Sequence, residues 1–139
     1  MGKRRRLEEA WFLLRVVAAS AAVSAATVAL PLPRILRAVE SPRKRVRRVD
    51  GETLERRVAI IRKVIKWKLF LIRNNCYRRN LLLYYFLLRY GVSGLRIHIG
   101  ISKREGALAG HCWLTRDGRI LYDEEEEVAK YAVIHTSGG

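Results

Sequence analysis

Gly110-His-Cys-Trp-Leu-Thr-Arg-Asp-Gly-Arg-Ile-Leu-Tyr-Asp123 is the only strong hairpin signal in this 139-residue chain. Mostly apolar and β-branched residues on both sides of the Asp-Gly pair predict two antiparallel strands, at about 107–115 and 119–123. Upstream, Leu95-Arg-Ile-His-Ile-Gly-Ile101 alternates strictly between apolar and other residues, which predicts a third strand. We expect residues 102–106 to form a polar loop.

The register of the hairpin determines whether a carboxylate can reach the histidine. A three-residue loop pairs Thr115 with Arg119 and places His111 opposite Asp123, on the same face of the sheet. A two-residue Asp-Gly loop instead pairs His111 with Glu124 and puts Asp123 on the other face. We predict the three-residue loop, so that Asp123 holds the imidazole.

Two helices are predicted ahead of the sheet. One runs from Cys76 to Tyr90, is apolar on most sides and is followed by Gly91 as a C-cap, which indicates a central helix. The other begins near Asp50, has acids in its first turn and carries apolar residues at helical spacing along one face. The predicted fold class is therefore α+β: N-terminal helices and a helix with a cysteine at its N-terminus, packed on a small antiparallel sheet.

The N-terminal segment has three interpretations. Lys3-Arg-Arg-Arg6 precedes an Ala/Val-rich run, as in a signal peptide or a membrane anchor. Arg15 interrupts the run, and residues 16–30 are fewer than the roughly 20 that a spanning helix needs. A buried Ala-rich helix that ends at Pro31 fits as well. We rank the buried helix first, contact with a membrane surface second and secretion third.

Charge and cysteine content narrow the possible classes. The net charge of +15 attracts nucleic acid, anionic lipid or acidic peptide alike. No nucleic-acid-binding motif accompanies it, so we expect no nucleic-acid partner. Two cysteines without Cys-x-x-Cys spacing argue against a disulfide scaffold or zinc knuckle and favour a reducing cytoplasm. We divide the chain into an apolar helix with a basic connector at 1–50 and a core at 51–139, in one compact unit.

Cys76, His111 and Asp123 are the candidate catalytic residues. A thiol at a helix N-terminus lies near the positive end of the helix dipole, which favours the thiolate. His111 can take the thiol proton, and Asp123 can fix the tautomer of the imidazole. The backbone N–H of Cys76 is a natural donor to an oxyanion. This set predicts acyl transfer through a thioester, with no cofactor and no metal, and leaves Asp117 in the turn.

The other titratable groups of the second half are assigned structural roles. We expect His98 to be structural and without an evident partner, and Cys112 to pack away from the site by strand alternation. His135 lies in a tail that we expect to be frayed. Cys76, His111 and Cys112 match no common set of metal ligands.

Four elements of the second half match one known family: Cys76-Tyr-Arg-Arg at the helix start, Leu-Leu-Arg-Tyr-Gly-Val at its end, Ile-His-Ile-Gly-Ile, and the hairpin with its acid a dozen residues after His111. Over about 76–124 the chain resembles the leader peptidase of lasso-peptide maturation, the stand-alone protease half of the so-called B protein. That family belongs to the transglutaminase-like superfamily of papain-like cysteine peptidases. Cys112 is a departure, since alanine is usual there.

The resemblance implies an enzyme that removes the leader from a ribosomally made precursor. The freed N-terminal amine would be joined to an acidic side chain by a separate ATP-dependent cyclase. Cys76, His111 and Asp123 carry over as nucleophile, base and orienter. The chain offers no space for a fused recognition domain, so a separate leader-recognition protein is expected. Two alternatives stay open: another transglutaminase-like amidase or acyltransferase, and a non-catalytic basic adaptor that binds peptide or a membrane.

Overall fold

The computed structural model describes residues 2–41, 48–66 and 76–138. That part of the chain contains five helices and four strands. In chain order they are α1 (Gly2–Ala29), α2 (Leu32–Val39), α3 (Gly51–Lys66), α4 (Cys76–Arg89), β1 (Leu95–Arg104), β2 (Ala107–Arg116), β3 (Arg119–Leu121), α5 (Glu125–Val128) and β4 (Ala132–Gly138).

The four strands form one antiparallel sheet in the order β3-β2-β1-β4. One face of β1 and β2 is buried: Leu95, Ile97, Cys112 and Leu114 are at most 2% exposed and belong to a cluster shared with α1, α3 and α4. Strand alternation produces this face, because every second residue of β1 is apolar. The predicted α+β class, with helices packed on a small antiparallel sheet, is confirmed.

The central helix is α4, as its apolar sequence predicts. Tyr84 and Leu81 are fully buried, and most of the neighbouring side chains on the helix are less than 5% exposed. The helix ends where Gly91 adopts a φ of 78°, a backbone conformation that suits glycine. The amide of Val92 then donates to the carbonyl of Leu87. The predicted C-cap is confirmed.

Only one face of α1 is buried. Phe12, Val16, Ser20 and Ser24, each four residues apart, lie against α3 and α4. The Phe12 ring contacts that of Phe86 edge to face, with 5.6 Å between the centroids. The buried-helix interpretation therefore holds for this face alone. α1 is also the one helix of the described ranges long and apolar enough to cross a membrane, a property that core helices and signal sequences share.

The predicted basic connector is partly helical. Residues 32–39 form α2, in which Ile35 and Leu36 are buried. Residues 42–47 lie outside the described residues. After the gap, Asp50 caps α3: the Thr53 amide donates to its Oδ1 at 2.6 Å. Hydrogen bonding by the Thr53 side chain, and then by this amide, lowers the pKa of Asp50. The acid that the sequence placed before this helix is thus an N-cap residue.

The predictions for residues 102–106 and for the C-terminal tail are wrong. Residues 102–106 are not a loop, because β1 continues to Arg104 and turns through Glu105 and Gly106, whose φ values of 51° and 80° define a tight two-residue turn. The C-terminal tail is not frayed: it forms β4, in which His135 pairs with Ile99. Without β4, the edge of β1 would expose unpaired backbone N–H and C=O groups. Residues 132–138 pair with these groups although their apolar and polar residues alternate only weakly.

Glu40 ties β4 to the helices. Its Oε1 accepts hydrogen bonds from the Tyr84 hydroxyl at 2.6 Å and from Ser137 Oγ at 2.5 Å. Burial, together with the Glu40 carboxylate, raises the pKa of Tyr84. Gly138 passes so close to the Tyr84 hydroxyl that a Cβ would collide with it. The polar group of a fully buried tyrosine is thereby satisfied.

Removing the Tyr84 hydroxyl is expected to destabilise the fold. Tyr84→Phe deletes one of the two hydrogen bonds to the Glu40 carboxylate, which should cost about 1–3 kcal/mol. Urea unfolding should show a lower midpoint at an unchanged slope. Tyr85→Phe is the control, since Tyr85 is half-buried and its hydroxyl accepts a bond from Arg89. Equal losses for both variants would contradict a special role of Glu40.

Candidate active site

The turn between β2 and β3 has two residues, not three. Arg116 pairs with Arg119 and Thr115 with Ile120, so the predicted pairing of Thr115 with Arg119 is wrong. Asp117 and Gly118 have φ values of 51° and 81°, the two left-handed positions of the turn type that Asp-Gly favours. The twist of this turn matches that of the strands, and a three-residue loop has no such advantage here.

Tyr122 compensates for the different register. β3 ends at Leu121, and Tyr122 adopts a φ of 57°, a conformation that costs a non-glycine residue on the order of 1 kcal/mol. Strand alternation, which would turn Asp123 away from His111, therefore does not extend to residue 123. The guanidinium of Arg62, on α3, lies 5.0 Å from the centre of the Tyr122 ring. Helix α3 thus contacts the bend that directs Asp123.

His111 and Asp123 form a close pair at the end of this bend. His111 Nε2 lies 2.6 Å from Asp123 Oδ2, and the two side chains are only 15% and 20% exposed. The second oxygen, Oδ1, accepts the amide of Glu124 at 2.9 Å. An ionised carboxylate can only accept, so Nε2 carries the proton, and Nδ1 of the neutral ring is left as the basic nitrogen. His111 and Asp123 form the pair that the sequence predicted, but the hairpin register is not the predicted one.

Two aromatic rings stack on the imidazole of His111. The Tyr131 ring stacks on His111 with 4.8 Å between centroids and 24° between planes, and Trp113 stacks at 5.9 Å. Gly100, which pairs with His111 across β1 and β2, makes this arrangement possible. A Cβ there would lie 2.8 Å from Tyr131 and 2.9 Å from the Trp113 ring.

His98 has partners that the sequence did not reveal. Its Nε2 lies 2.7 Å from Thr115 Oγ1 and its Nδ1 lies 2.9 Å from Thr136 Oγ1. Its ring stacks on Trp113 at 5.5 Å. Burial and, to a lesser extent, the Arg96 charge lower the pKa of His98. The prediction that His98 lacks a partner is wrong; its contacts join β1, β2 and β4 on the face of the sheet that carries His111.

Helix α4 brings its first turn to the strand of His111. Cys76 is the first residue of α4, and the predicted position of its side chain lies outside what the structure describes. Asn80 Nδ2, one turn later on the same helix face, donates to the Cys112 carbonyl at 2.8 Å. Burial raises the pKa of Tyr77, the residue that follows Cys76, to about 12. The N-terminal turn of α4 is thus anchored one residue away from His111.

A cleft of about 180 Å³ opens between α3, α4 and the end of the hairpin. It contains one imidazole–carboxylate pair, three basic side chains and a partly apolar wall. Its lining residues are Arg62, Ile65, Lys66, Arg79, Asn80, Leu83, His111, Tyr122 and Asp123. A base already oriented by a carboxylate, facing a cleft beside a helix N-terminus, can activate a thiol or a water molecule.

Cys112 is a packing residue, as predicted. Its side chain is 2% exposed and belongs to the apolar cluster beneath the sheet. Sequence reasoning missed Asn80, Tyr131 and Gly100, which position the helix and the imidazole. Only Asn80 had a signal, because it lies four residues after Cys76 on an otherwise apolar helix. No local pattern could show that Tyr131 folds back onto His111.

Residues 12–136 match the transglutaminase-like superfamily. The chain therefore belongs to this superfamily, whose members are typically cysteine peptidases and transglutaminase-type enzymes. Comparison with curated proteins and with solved structures gives no match. The match includes α3, α4, all of β1 to β3 and most of β4.

Adding a methyl group at Gly100 is expected to disturb the imidazole. In Gly100→Ala the new Cβ collides with Tyr131 and Trp113, at a cost of about 1–3 kcal/mol in stability. Because both rings contact His111, a reaction that uses this imidazole as its base should lose more in maximal rate than in substrate affinity. Gly110→Ala is the matched control, since a Cβ at Gly110 meets only a carbonyl oxygen at 4.0 Å. Equal effects of the two substitutions would contradict this role of the stacked rings.

Proposed function

We propose that this chain is a cysteine peptidase that removes the leader from a ribosomally synthesised lasso-peptide precursor through a thioester on Cys76. The observation that carries the proposal is the 2.6 Å pair of His111 and Asp123, in a cleft beside the anchored first turn of α4. Superfamily membership supports the chemistry. The resemblance of residues 76–124 to the lasso leader peptidase supports the substrate.

The proposed reaction begins when His111 Nδ1 takes the proton of the Cys76 thiol. The thiolate attacks the carbonyl carbon of the scissile peptide, and the backbone N–H of Cys76 stabilises the resulting oxyanion. The imidazolium returns its proton to the nitrogen of the core peptide, which leaves as an amine. Water, deprotonated by His111, then hydrolyses the thioester and releases the leader with a free carboxylate. Asp123 keeps the proton on Nε2 throughout and stabilises the imidazolium.

The proposed reaction assigns the partners. The substrate is the precursor peptide, presented by a separate leader-recognition protein. The released amine is the group that a separate ATP-dependent cyclase joins to an acidic side chain. We place these steps in the cytoplasm, where a catalytic thiol stays reduced.

The direct test is a reconstitution with the short precursor and the recognition protein encoded by neighbouring genes. Intact-mass spectrometry should find two fragments whose masses together exceed that of the precursor by one water. Hydrolysis at a single bond before the core peptide is the expected result. The absence of any product with a folded protein would favour a non-catalytic basic adaptor and contradict the proposal.

A second candidate function is acyl transfer to an amine acceptor other than water. Superfamily membership favours it directly, because the superfamily includes transglutaminase-type enzymes. Both reactions share the thioester and differ only in the nucleophile that resolves it. A product heavier than the leader by the mass of an added amine, less one water, would establish transfer and overturn the peptidase assignment.

A further inference from the structure

The cleft beside His111 is lined by three basic side chains from two helices. Arg62 and Lys66 lie four residues apart on α3, and Arg79 lies on the first turn of α4. We call these three residues the cationic rim. All three are exposed at the mouth of the cleft, while Ile65 and Leu83 supply its apolar wall.

The three rim cations face a single carboxylate among the residues that line the cleft, that of Asp123. Asp123 uses Oδ2 for His111 and Oδ1 for the Glu124 amide. Among residues 2–41, 48–66 and 76–138, no ion pair joins a rim residue to a carboxylate. Arg62 contacts the face of the Tyr122 ring and not a carboxylate oxygen. Three cations around one small cleft create a positive potential that attracts an anionic group.

We propose that the cationic rim binds a carboxylate of the substrate, so that the preferred substrates are peptides with an aspartate or glutamate close to the cleaved bond. This inference rests on the proposed function, because it concerns the same cleft and the same thiol. Arginine can hold a carboxylate through two parallel hydrogen bonds, and lysine adds a point charge. The apolar wall accommodates the rest of the peptide segment.

Two alkylating reagents of nearly equal size provide a probe that needs no knowledge of the substrate. Iodoacetate is anionic and iodoacetamide is neutral. With either reagent the Cys76 thiolate forms a sulfur–carbon bond as the carbon–iodine bond breaks and iodide leaves. The rate at Cys76 is followed by peptide mass mapping, and each reagent is also measured on glutathione as a reference thiol.

The rim predicts that Cys76 prefers iodoacetate over iodoacetamide several-fold more than glutathione does. Arg79→Glu and Lys66→Glu should each reduce that preference by roughly fivefold, with little change in the iodoacetamide rate, and Arg79→Gln should reduce it less. Salt should weaken the preference as it screens the rim. Arg34→Glu, which makes the same change of charge on exposed α2 outside the cleft, should leave it unchanged.

The outcomes separate this inference from the proposed function. If Cys76 is reactive but Lys66→Glu, Arg79→Glu and Arg79→Gln leave its preference for iodoacetate unchanged, the rim does not bind a carboxylate. That result leaves the peptidase proposal intact. A Cys76 that reacts with neither reagent in the folded protein removes the nucleophile, and both proposals fall together. An equal loss of preference in Arg34→Glu would mean that only the net charge matters, which also overturns the rim.

A separate observation concerns the outer face of α1. Seven exposed apolar residues follow one another at alternating spacings of four and three along the helix. They are Leu7, Trp11, Leu14, Ala18, Ala21, Ala25 and Val28. We call them the α1 stripe. At a rise of about 1.5 Å per residue it is roughly 30 Å long, and Trp11 is 69% exposed.

We infer that the α1 stripe lies on an anionic membrane surface. Exposed apolar patches of this length mark interaction surfaces, and charge favours this occupant. Residues 3–6 are all basic and precede the stripe directly. A second copy of this chain would bring the same net charge of +15 and be repelled, whereas anionic headgroups attract it. Trp11 suits the interface, because its ring is apolar and its N–H is polar.

Sedimentation with phosphatidylcholine vesicles, with and without phosphatidylglycerol, tests the α1 stripe. At low salt the protein should sediment with the anionic vesicles only, and Leu14→Gln should weaken binding several-fold. Leu108→Gln is the matched control, since Leu108 is 75% exposed on β2. An absence of binding at low salt overturns the inference. So would a dimer in analytical ultracentrifugation that Leu14→Gln dissolves, because a second copy would then cover the stripe.

Discussion

Replacing Cys76 by alanine is expected to lower the rate of leader removal by about 10⁴-fold or more, because it removes the proposed nucleophile. Binding of the precursor and its recognition protein should persist, since the substitution removes only the sulfur atom. The measurement is the initial rate of product formation by mass spectrometry under single-turnover conditions. No thioester should form in the variant.

Cys112→Ala is the matched control for this experiment. It removes the other thiol of the chain, one residue from His111, but that side chain is 2% exposed within the core. We expect a modest loss of stability from the small cavity and a rate close to that of the wild type. If the Cys76 variant still removes the leader and the Cys112 variant does not, the nucleophile has been misassigned.

The second large effect is expected for Asp123→Ala. Without the carboxylate 2.6 Å from Nε2, the imidazole is free to take the other tautomer, in which Nδ1 carries the proton and cannot act as the base. Loss of the orienting acid in such triads lowers the rate by about 10²- to 10⁴-fold. The rate of turnover with the same precursor measures the effect. The fold should persist, because Asp123 follows the end of β3.

Asp117→Asn is the contrasting substitution. Asp117 occupies a left-handed position of the two-residue turn, where asparagine is at least as well tolerated as aspartate. It does not line the cleft. We expect turnover and stability close to those of the wild type. A severe loss in Asp117→Asn together with normal turnover in Asp123→Ala would contradict the assignment of the acid.

The pair of His111 and Asp123 shows which part of the site could be predicted from the sequence. A histidine on a strand and an acid twelve residues later, across a turn, predict a contact between them. The predicted route, a three-residue loop in register, is wrong. The contact arises because Tyr122 bends the chain after a two-residue turn. A left-handed tyrosine has no sequence signature, since the bend depends on contacts with distant groups such as Arg62.

The elements that support the site were less accessible from the sequence. Asn80, Gly100 and Tyr131 act through contacts between segments far apart in the chain. The weakly alternating residues of β4 become a strand only because the edge of β1 is open to them. The local strand propensity of a segment contains no information about a pairing partner from another part of the fold.

The sequence alone was enough for the α+β class and for the central helix that begins at Cys76. These follow from hydrophobic periodicity and turn chemistry, which act between near neighbours in the chain. The bend at Tyr122, the choice of Asp123 as the carboxylate that meets His111, the stacked ring on His111 and the cationic rim required the tertiary structure. Each of these depends on which segments meet in space, and packing against a distant partner can outweigh a local preference of about 1 kcal/mol.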